Sequence, residues 1–180
     1  MTIVALSGSL RAKSFNTMLL HAAAEVAPLD VATIAGIPLY DGDVEAAGMP
    51  APVAALKDRI AAAKGLLLVT PEYNGSLPGV FKNAIDWLSR PSTDIRRVFG
   101  GLAVGVIGAT PGPGGTALSQ AAWMLVLRRL DTIPFFGASL QVSSAGKVFD
   151  DGGALVDAEV KGRLGKYMHA FLAFVDRHGR

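Results

Sequence analysis

The fold is decided by the segment Thr2-Ile3-Val4-Ala5-Leu6-Ser7-Gly8-Ser9-Leu10-Arg11-Ala12-Lys13-Ser14-Phe15-Asn16. Residues 2–6 form an apolar run that is typical of a strand covered on both faces. A polar turn follows, and the Ala- and Leu-rich residues 16–26 then predict a helix that ends before Pro28. A strand that passes through a polar turn into a helix is the repeating unit of parallel α/β sheets.

The same unit recurs along the rest of the chain. Strands are predicted at residues 30–34, 65–70, 101–107 and 132–136. Helices are predicted at residues 51–64, 77–88, about 116–130 and about 154–178, while residues 36–52 are expected to form an irregular surface excursion. The alternation predicts an α/β fold: a doubly wound, five-stranded parallel sheet with helices on both faces, forming a single domain over residues 1–180.

The composition excludes several classes of function. With no Cys among 180 residues, the chain has no disulfide, no thiolate metal site and no cysteine nucleophile, so a redox role would require a bound cofactor. The net charge of +2 comes from scattered Lys and Arg, which gives nucleic-acid binding little support. The chain has neither a long apolar run nor a signal-peptide pattern, so we expect a cytoplasmic protein that does not associate with membranes.

Three loops leave the carboxyl ends of predicted strands, at residues 7–15, 71–76 and 108–115. In doubly wound sheets ligands bind at that edge, where the strand order reverses, so the three loops are expected to converge on one site. The histidines lie outside these loops, at positions 21, 169 and 178, and we therefore expect neither a metal site nor a Ser-His-Asp relay. No side chain is expected to be indispensable as an acid or base.

The first loop has groups that bind a monophosphate ester. Ser9, Ser14 and Asn16 offer side-chain hydrogen bonds, and Arg11 offers a bidentate positive charge. The start of the following helix adds a partial positive charge. Neither G-x-x-x-x-G-K-[ST] nor G-x-G-x-x-G occurs here. The alternative is a simple strand-to-helix turn with Ser14 as N-cap, but capping gives Arg11 no purpose.

The second loop suits a flat ring system. Backbone groups of residues 71–79 can pair with the pyrimidine edge of a flavin, and Tyr73 can cover an apolar face. Glu72 could act as an acid or base, although capping of backbone N–H groups or pairing with Arg or Lys is the favoured interpretation. In the glycine-rich third loop, Thr110 can form a hydrogen bond. A phosphate that carries an aromatic ring system suits the first two loops together, and the resulting hypothesis is bound flavin mononucleotide (FMN).

Together with their neighbours, these residues resemble the family of NADPH-dependent FMN reductases, which includes quinone, azo and chromate reductases of flavodoxin-like fold. The likeness is carried by Gly8-Ser9-Leu10-Arg11 with Ser14 and Asn16, and most specifically by Thr70-Pro71-Glu72-Tyr73-Asn74 with Lys82-Asn83-Ala84-Ile85-Asp86-Trp87. Many relatives carry arginines where Leu118 and Met124 stand here. That departure bears on tetramer contacts and on the affinity for anionic acceptors.

The resemblance implies a set of cofactor-binding residues. Those expected at the FMN phosphate and ribityl chain are Ser9, Arg11, Ser14, Phe15 and Asn16. Those expected around the isoalloxazine are Pro71, Glu72, Tyr73, Asn74, Gly75 and Ser76, with Thr110 and Gly112 at its rim. The resemblance also implies a homodimer or homotetramer, with the exposed face of the helix over residues 77–89 partly in the subunit contact.

The expected function is that of an FMN-dependent oxidoreductase. NADPH or NADH would pass hydride to FMN, and a small acceptor such as a quinone, an azo compound, a metal oxyanion or free flavin would then take its place. One alternative is a non-catalytic electron shuttle of the flavodoxin kind, which usually surrounds its flavin with acidic residues, unlike this slightly basic chain. A second alternative is a hydrolase or another nucleotide-binding domain, for which the sequence offers no base near a serine.

Overall fold

The computed structural model describes residues 2–180 and places their strands in one parallel sheet. The strands are β1 (Ile3–Ser7), β2 (Asp30–Ala32), β3 (Gly65–Val69), β4 (Ala103–Ala109), β5 (Ile133–Pro134) and β6 (Gln141–Val142). Their order is β2-β1-β3-β4-β5, and β6 also pairs with β4. This is the order of the flavodoxin-like doubly wound sheet, with its reversal between β1 and β3. The predicted fold class is therefore confirmed.

The helices cover both faces of the sheet. They are α1 (Phe15–Val26), α2 (Gly42–Ala47), α3 (Ala51–Ala61), α4 (Gly79–Leu88), α5 (Ile95–Val98), α6 (Ala117–Arg129) and α7 (Ala158–His178). Every residue of β1, β3 and β4 is buried, as expected for strands covered on both sides. Successive side chains alternate between the two layers: Ile3 and Ala5 pack with α1 and α7, whereas Val4 and Leu6 pack with α3, α4 and α6.

The last strand position is divided between β5 and β6. The lower half of β4 pairs with β5, through Ala103 opposite Ile133, and the upper half pairs with β6, through Ala109 opposite Val142. The strand predicted at residues 132–136 is therefore shorter than expected: β5 ends at Pro134, although the Phe135 N–H still donates to the Val104 carbonyl at 2.8 Å. The chain returns to the sheet at β6, which was not predicted.

The excursion at residues 36–52 is anchored to α4. The Asn83 amide donates to the Pro38 carbonyl at 2.8 Å and accepts from the Tyr40 backbone N–H at 2.8 Å. The Trp87 indole N–H also donates to the Pro38 carbonyl, at 2.9 Å. The excursion lies on the surface as predicted, but it contains α2, a short exposed helix that was not predicted. Within residues 2–180, no helix has the length and apolar character needed to cross a membrane.

Candidate functional site

The three loops predicted to converge do meet at the carboxyl edge of the sheet. They enclose a cleft of about 280 Å³, hereafter the main cleft, beyond the ends of β1, β3 and β4. The main cleft is lined by Ser9, Arg11, Ser14, Phe15, Asn16, Pro71, Glu72, Tyr73, Ala109, Thr110 and Pro111. Four of the predicted site residues do not line it: Asn74, Gly75, Ser76 and Gly112. Ala109 and Pro111 line it but were not predicted.

The loop after β1 presents hydrogen-bond donors without partners. Within residues 2–180, the backbone N–H groups of Leu10, Ala12, Lys13 and Phe15 donate to no protein acceptor. The Arg11 guanidinium is exposed; it donates to the Lys13 carbonyl at 3.0 Å and forms no ion pair in the same part of the chain. The first turn of α1 carries no acidic residue, so its positive dipole end is uncompensated. This donor set fits a phosphate ester.

Ser14 and Asn16 shape this loop from below. The Ser14 hydroxyl oxygen accepts from the backbone N–H groups of Asn16, at 3.2 Å, and Thr17, at 3.4 Å, so it is the N-cap of α1, as predicted. The Asn16 side chain is buried: it donates to the Ala109 carbonyl at 2.8 Å and accepts from the Ala109 N–H at 2.9 Å. Both ends of this amide are therefore paired with the end of β4, while Asn16 also lines the main cleft. Asn16 ties α1 to β4.

The loop after β3 is a tight hairpin. The backbones of Tyr73 and Ser76 exchange two hydrogen bonds of 3.0 Å, and both intervening residues have positive φ, 52° at Asn74 and 68° at Gly75. Two positive φ values characterise a type I′ turn, which Asn-Gly favours. The Asn-Gly dipeptide is a signal that could have predicted it. The hairpin leaves the Tyr73 side chain 49% exposed at the mouth of the main cleft.

Glu72 acts as a cap for a neighbouring helix. Its carboxylate accepts from the backbone N–H groups of Leu118, at 2.9 Å, and Ser119, at 3.0 Å, in the first turn of α6. The residue before α6, Thr116, makes no side-chain capping bond of its own. The favoured interpretation of Glu72 is therefore confirmed. Its charge is held by the positive end of α6, and the bond fixes the β3 loop to that helix.

A buried hydroxyl network reinforces the same junction. The Thr70 hydroxyl oxygen accepts from the Trp123 indole N–H at 3.0 Å and lies 2.9 Å from the Ser119 hydroxyl oxygen. All three residues are fully buried. None was predicted as part of the site, because nothing local in the sequence shows that β3 and α6 meet here. The network and Glu72 together hold the β3 loop at two points.

The loop after β4 is held against β3 and β6. A Cβ atom on Gly108 would lie 2.2 Å from the Thr70 carbonyl oxygen, so only glycine allows the two strands to end this close together. The Thr110 N–H donates to the Val142 carbonyl at 2.9 Å, and the Gly112 carbonyl accepts from the Ser144 N–H at 3.0 Å. Thr110 reaches the main cleft, whereas Gly112 belongs to the outer part of the loop.

Comparison with known proteins identifies relatives of the whole chain. Residues 1–147 match the family described as NADPH-dependent FMN reductase. An NAD(P)H-dependent FMN reductase from Pseudomonas aeruginosa is 38% identical over 179 residues, covering 97% of this chain and 95% of that protein. A 2-hydroxy-1,4-benzoquinone reductase from a Burkholderia species is 38% identical over 177 residues, covering 96% and 95%. The solved structure of FerB, a flavoenzyme NAD(P)H:(acceptor) oxidoreductase from Paracoccus denitrificans, has a TM-score of 0.89 and 32% identity, and the match covers 99% of both chains.

Proposed function

The chain belongs to the family of NADPH-dependent FMN reductases, and on that premise we propose that it holds FMN in the main cleft and reduces a quinone at the expense of NAD(P)H. Membership makes it an oxidoreductase that uses FMN and NAD(P)H. The observation that carries the assignment of the cleft is the set of unpartnered N–H groups in the loop after β1, next to the Arg11 guanidinium.

The loop after β1 would hold the FMN phosphate. The free N–H groups between Leu10 and Phe15 and the positive end of α1 provide short-range donors, and Arg11 provides a full counter-charge. Ser9 adds a hydroxyl whose oxygen accepts from the Arg11 N–H at 3.3 Å, which leaves its proton available to the ligand. Ser14 and Asn16 support this arrangement from beneath as positioning residues.

The hairpin after β3 would form one wall for the ring system. Bound FMN supplies the hydride chemistry, accepting two electrons from NAD(P)H and giving them to the acceptor. The protein supplies geometry, since holding the reacting atoms about 3 to 3.5 Å apart lowers the entropic part of the barrier. Glu72 and the Thr70 network keep the hairpin in place, and Tyr73 offers an aromatic face at the mouth. The residues of the hairpin turn, Asn74, Gly75 and Ser76, and Gly112 would contribute at most to the rim.

A quinone is the acceptor that this site suits best. Its flat ring can stack beside Tyr73 and over the cofactor without needing a charged partner. Among the described residues that line the main cleft, Glu72 is the one carboxylate, and it already accepts hydrogen bonds from two N–H groups of α6. The relative named as a 2-hydroxy-1,4-benzoquinone reductase supports the same class of acceptor.

Anaerobic reduction followed by a panel of acceptors tests this function. The visible flavin absorbance of FMN-loaded protein should disappear within seconds of mixing with NADPH. Addition of 1,4-benzoquinone should restore it. Azo dyes, chromate and free FMN, compared at equal concentration, should react more slowly. A flavin that stays oxidised in NADPH but exchanges electrons with one-electron carriers would support the shuttle alternative instead.

The outer surface of α6 supports assembly into a homodimer or a larger homo-oligomer. This helix buries Ser119, Trp123 and Leu127 against the sheet, yet its opposite side carries Leu118, 59% exposed, and Leu125, 75% exposed. A helix that is apolar on both sides is normally covered on both sides. We propose that a second copy of the chain covers this face near the main cleft. We also propose a cytoplasmic location, because NAD(P)H is an intracellular electron donor; cell fractionation would test it.

A further inference from the structure

The turn of the hairpin after β3 contains the dipeptide Asn74-Gly75, and both residues are exposed. Within residues 2–180, the Gly75 N–H donates to no protein acceptor. The side-chain hydrogen bonds of asparagine in the same part of the chain belong to Asn16 and Asn83, and the Asn74 side chain forms none. The Gly75 nitrogen and the Asn74 side-chain amide are therefore open to water and free of protein partners.

This pair of groups is capable of a covalent reaction with water. The Gly75 nitrogen loses its proton and forms a bond to Cγ of Asn74, the bond between Cγ and the side-chain nitrogen breaks, and ammonia leaves with that proton. Water then opens the resulting five-membered imide at either carbonyl. The product is aspartate, or isoaspartate, in which the main chain runs through Cγ. The net reaction consumes one water and releases one ammonia, and it needs no oxidant or reductant.

The surroundings of Gly75 favour this attack. Glycine has no Cβ, whose bulk at other residues hinders the approach of the backbone nitrogen to the carbonyl carbon before it. Outside its chain neighbours, the nearest atom to a Cβ built on Gly75 would be Leu118 Cδ1, at 3.4 Å, so the turn has room to rearrange. The turn lies at the exposed tip of a hairpin that two hydrogen bonds between Tyr73 and Ser76 close, so its local opening leaves the core undisturbed.

The other two asparagines of the chain lack these features. Both ends of the Asn83 side-chain amide are paired with the excursion, and the next residue, Ala84, is buried within α4. Both ends of the buried Asn16 amide are paired with β4, and the β-branched Thr17 follows it. We propose that Asn74 is a modification site, which converts spontaneously to aspartate and isoaspartate while Asn16 and Asn83 stay unchanged.

Conversion would alter the wall that the hairpin provides. Aspartate adds one negative charge at the turn. Isoaspartate also lengthens the main chain by one carbon atom, so the two 3.0 Å hydrogen bonds between Tyr73 and Ser76 would no longer form as a pair. This consequence rests on the proposed function, in which Tyr73 and the hairpin support the flavin ring. We expect the converted protein to reduce quinone more slowly, so that conversion inactivates aged copies of the protein.

Peptide mass spectrometry of the FMN-loaded protein, before and after one week at 37 °C and pH 8.5, tests the modification itself. Trypsin cleaves after Lys64 and Lys82, so the peptide of residues 65–82 contains Asn74 and no other asparagine or glutamine. This peptide should gain about 1 Da in at least a tenth of the copies, and the peptides that contain Asn16 and Asn83 should gain at least tenfold less. No gain in residues 65–82, or an equal gain at Asn83, would overturn the proposal.

Two variants test the route of the reaction. In Gly75→Ala the added Cβ should slow the gain in mass at least tenfold. Alanine is strained at the φ of 68°, which would loosen the turn and favour conversion, so a slower rate would reflect hindrance at the attacking nitrogen. In Asn74→Gln the imide would need a six-membered ring, which forms much more slowly, and the peptide should keep its mass. An unchanged rate in Gly75→Ala would overturn the proposed route.

Quinone reduction by the same samples tests the consequence. The activity of the wild type should fall in proportion to the converted fraction, whereas aged Asn74→Gln should keep its own starting activity. This variant retains the two Asp-Gly pairs of the chain, at residues 41–42 and 151–152, so a loss through isomerisation there would appear in it as well. Conversion without loss of activity would overturn the role of the hairpin in the proposed function, while the mass measurement would still establish the modification. Failure of NADPH to reduce the flavin of unaged protein would instead defeat the proposed function alone.

Discussion

Arg11 is the residue on which the proposed flavin site depends most directly. Its guanidinium is exposed within a loop in which four N–H groups lack partners, and among residues 2–180 its one hydrogen bond goes to the Lys13 carbonyl. The surrounding loop already has its structural bonds through Ser14 and Asn16. The Arg11 guanidinium is therefore available to bind a ligand, because the loop does not depend on it for its own hydrogen bonds.

We expect Arg11→Ala to weaken FMN binding with little change in thermal stability. Loss of a charged hydrogen bond costs about 1.5 to 3 kcal/mol, which corresponds to roughly a 10- to 150-fold rise in Kd. Titration of the apoprotein by quenching of FMN fluorescence measures this directly. Arg128→Ala, a change at an exposed position of α6, serves as the control and should bind FMN normally. An unchanged Kd in Arg11→Ala would show that the phosphate has another counter-charge.

Asp94 forms an ion pair with Lys57, whose side chain is nearly buried, and this pair is expected to stabilise the fold. Its carboxylate accepts from Arg97 at 2.9 Å and from the Lys57 ammonium at 2.6 Å, and Lys57 has no other carboxylate partner within residues 2–180. The hydrogen bond from Arg97, followed by that from Lys57, holds the pKa of the Asp94 carboxyl well below its usual range. A lowered native pKa means that this stabilisation is fully present above about pH 4, the usual pKa of Asp, and is lost as the pH falls below it.

We expect Asp94→Asn to lower the free energy of unfolding at pH 7 by about 1.5 to 3 kcal/mol, because a buried ammonium loses its charged acceptor. Below about pH 4 the difference from the wild type should shrink, because the Asp94 carboxyl of the unfolded wild-type chain then binds a proton that the native carboxyl, with its lowered pKa, does not. Urea unfolding at pH 7, 5 and 3 measures both effects. Asp151→Asn, at an exposed turn, is the matched control. A difference that stays constant from pH 7 to pH 3 would contradict this account.

At the scale of secondary-structure elements, the site depends on how α6 is joined to the end of β3. Glu72 caps α6 from another loop, and the Thr70–Ser119–Trp123 network lies directly beneath. The hairpin that would hold the flavin ring is therefore held in place by its bonds to α6. Its position should depend on this cap.

We expect Glu72→Ala to lower the free energy of unfolding by about 0.5 to 2 kcal/mol, as loss of an N-cap does. The amide hydrogens of Leu118 and Ser119 should exchange faster with solvent, because they lose their acceptor. Hydrogen-exchange measurements resolve these two positions. Glu25→Ala, at an exposed position of α1, should leave their exchange unchanged. Equal exchange in Glu72→Ala and wild type would mean that the cap does not hold α6.

At the scale of the whole molecule, the apolar outer face of α6 is expected to decide the oligomeric state. Leu125→Glu places a charge in the centre of that face, at a position 75% exposed in the single chain, so it should not disturb the fold. Light scattering should show a homodimer or larger assembly for the wild type and a monomer for the variant. Leu39→Glu, an equally exposed leucine in the excursion, should assemble as the wild type does. A wild-type protein that is monomeric at micromolar concentration would contradict the proposed assembly.

Sequence patterns predicted the layered architecture because it depends on long apolar runs. Continuous apolar runs indicate buried strands, and they correspond to β1, β3 and β4. An apolar stripe at helical spacing indicates a helix, and it corresponds to α7. The two-residue β5 and β6 are too short to carry a pattern, so the division of the last strand could not be seen. The short exposed α2 escaped prediction for the same reason.

Within the site, local chemistry was predictable and pairing at long range was not. Ser14 as N-cap follows from its place before a helix. The hydrogen bonds between Asn16 and Ala109 join residues 93 positions apart, and the bond between Glu72 and Leu118 of α6 joins residues 46 positions apart. A single sequence does not show such pairs. For Asn16 the missing information mattered, because the pairing of its side chain with the end of β4 could not be predicted.

A crystal structure of the protein with FMN tests the central claim most directly. We predict that the phosphate lies within hydrogen-bonding distance of the N–H groups between Leu10 and Phe15 and of the Arg11 guanidinium. The ring system should lie against the hairpin at Tyr73. FMN bound elsewhere on the molecule, or a main cleft that stays filled by protein side chains while FMN binds in solution, would contradict the account.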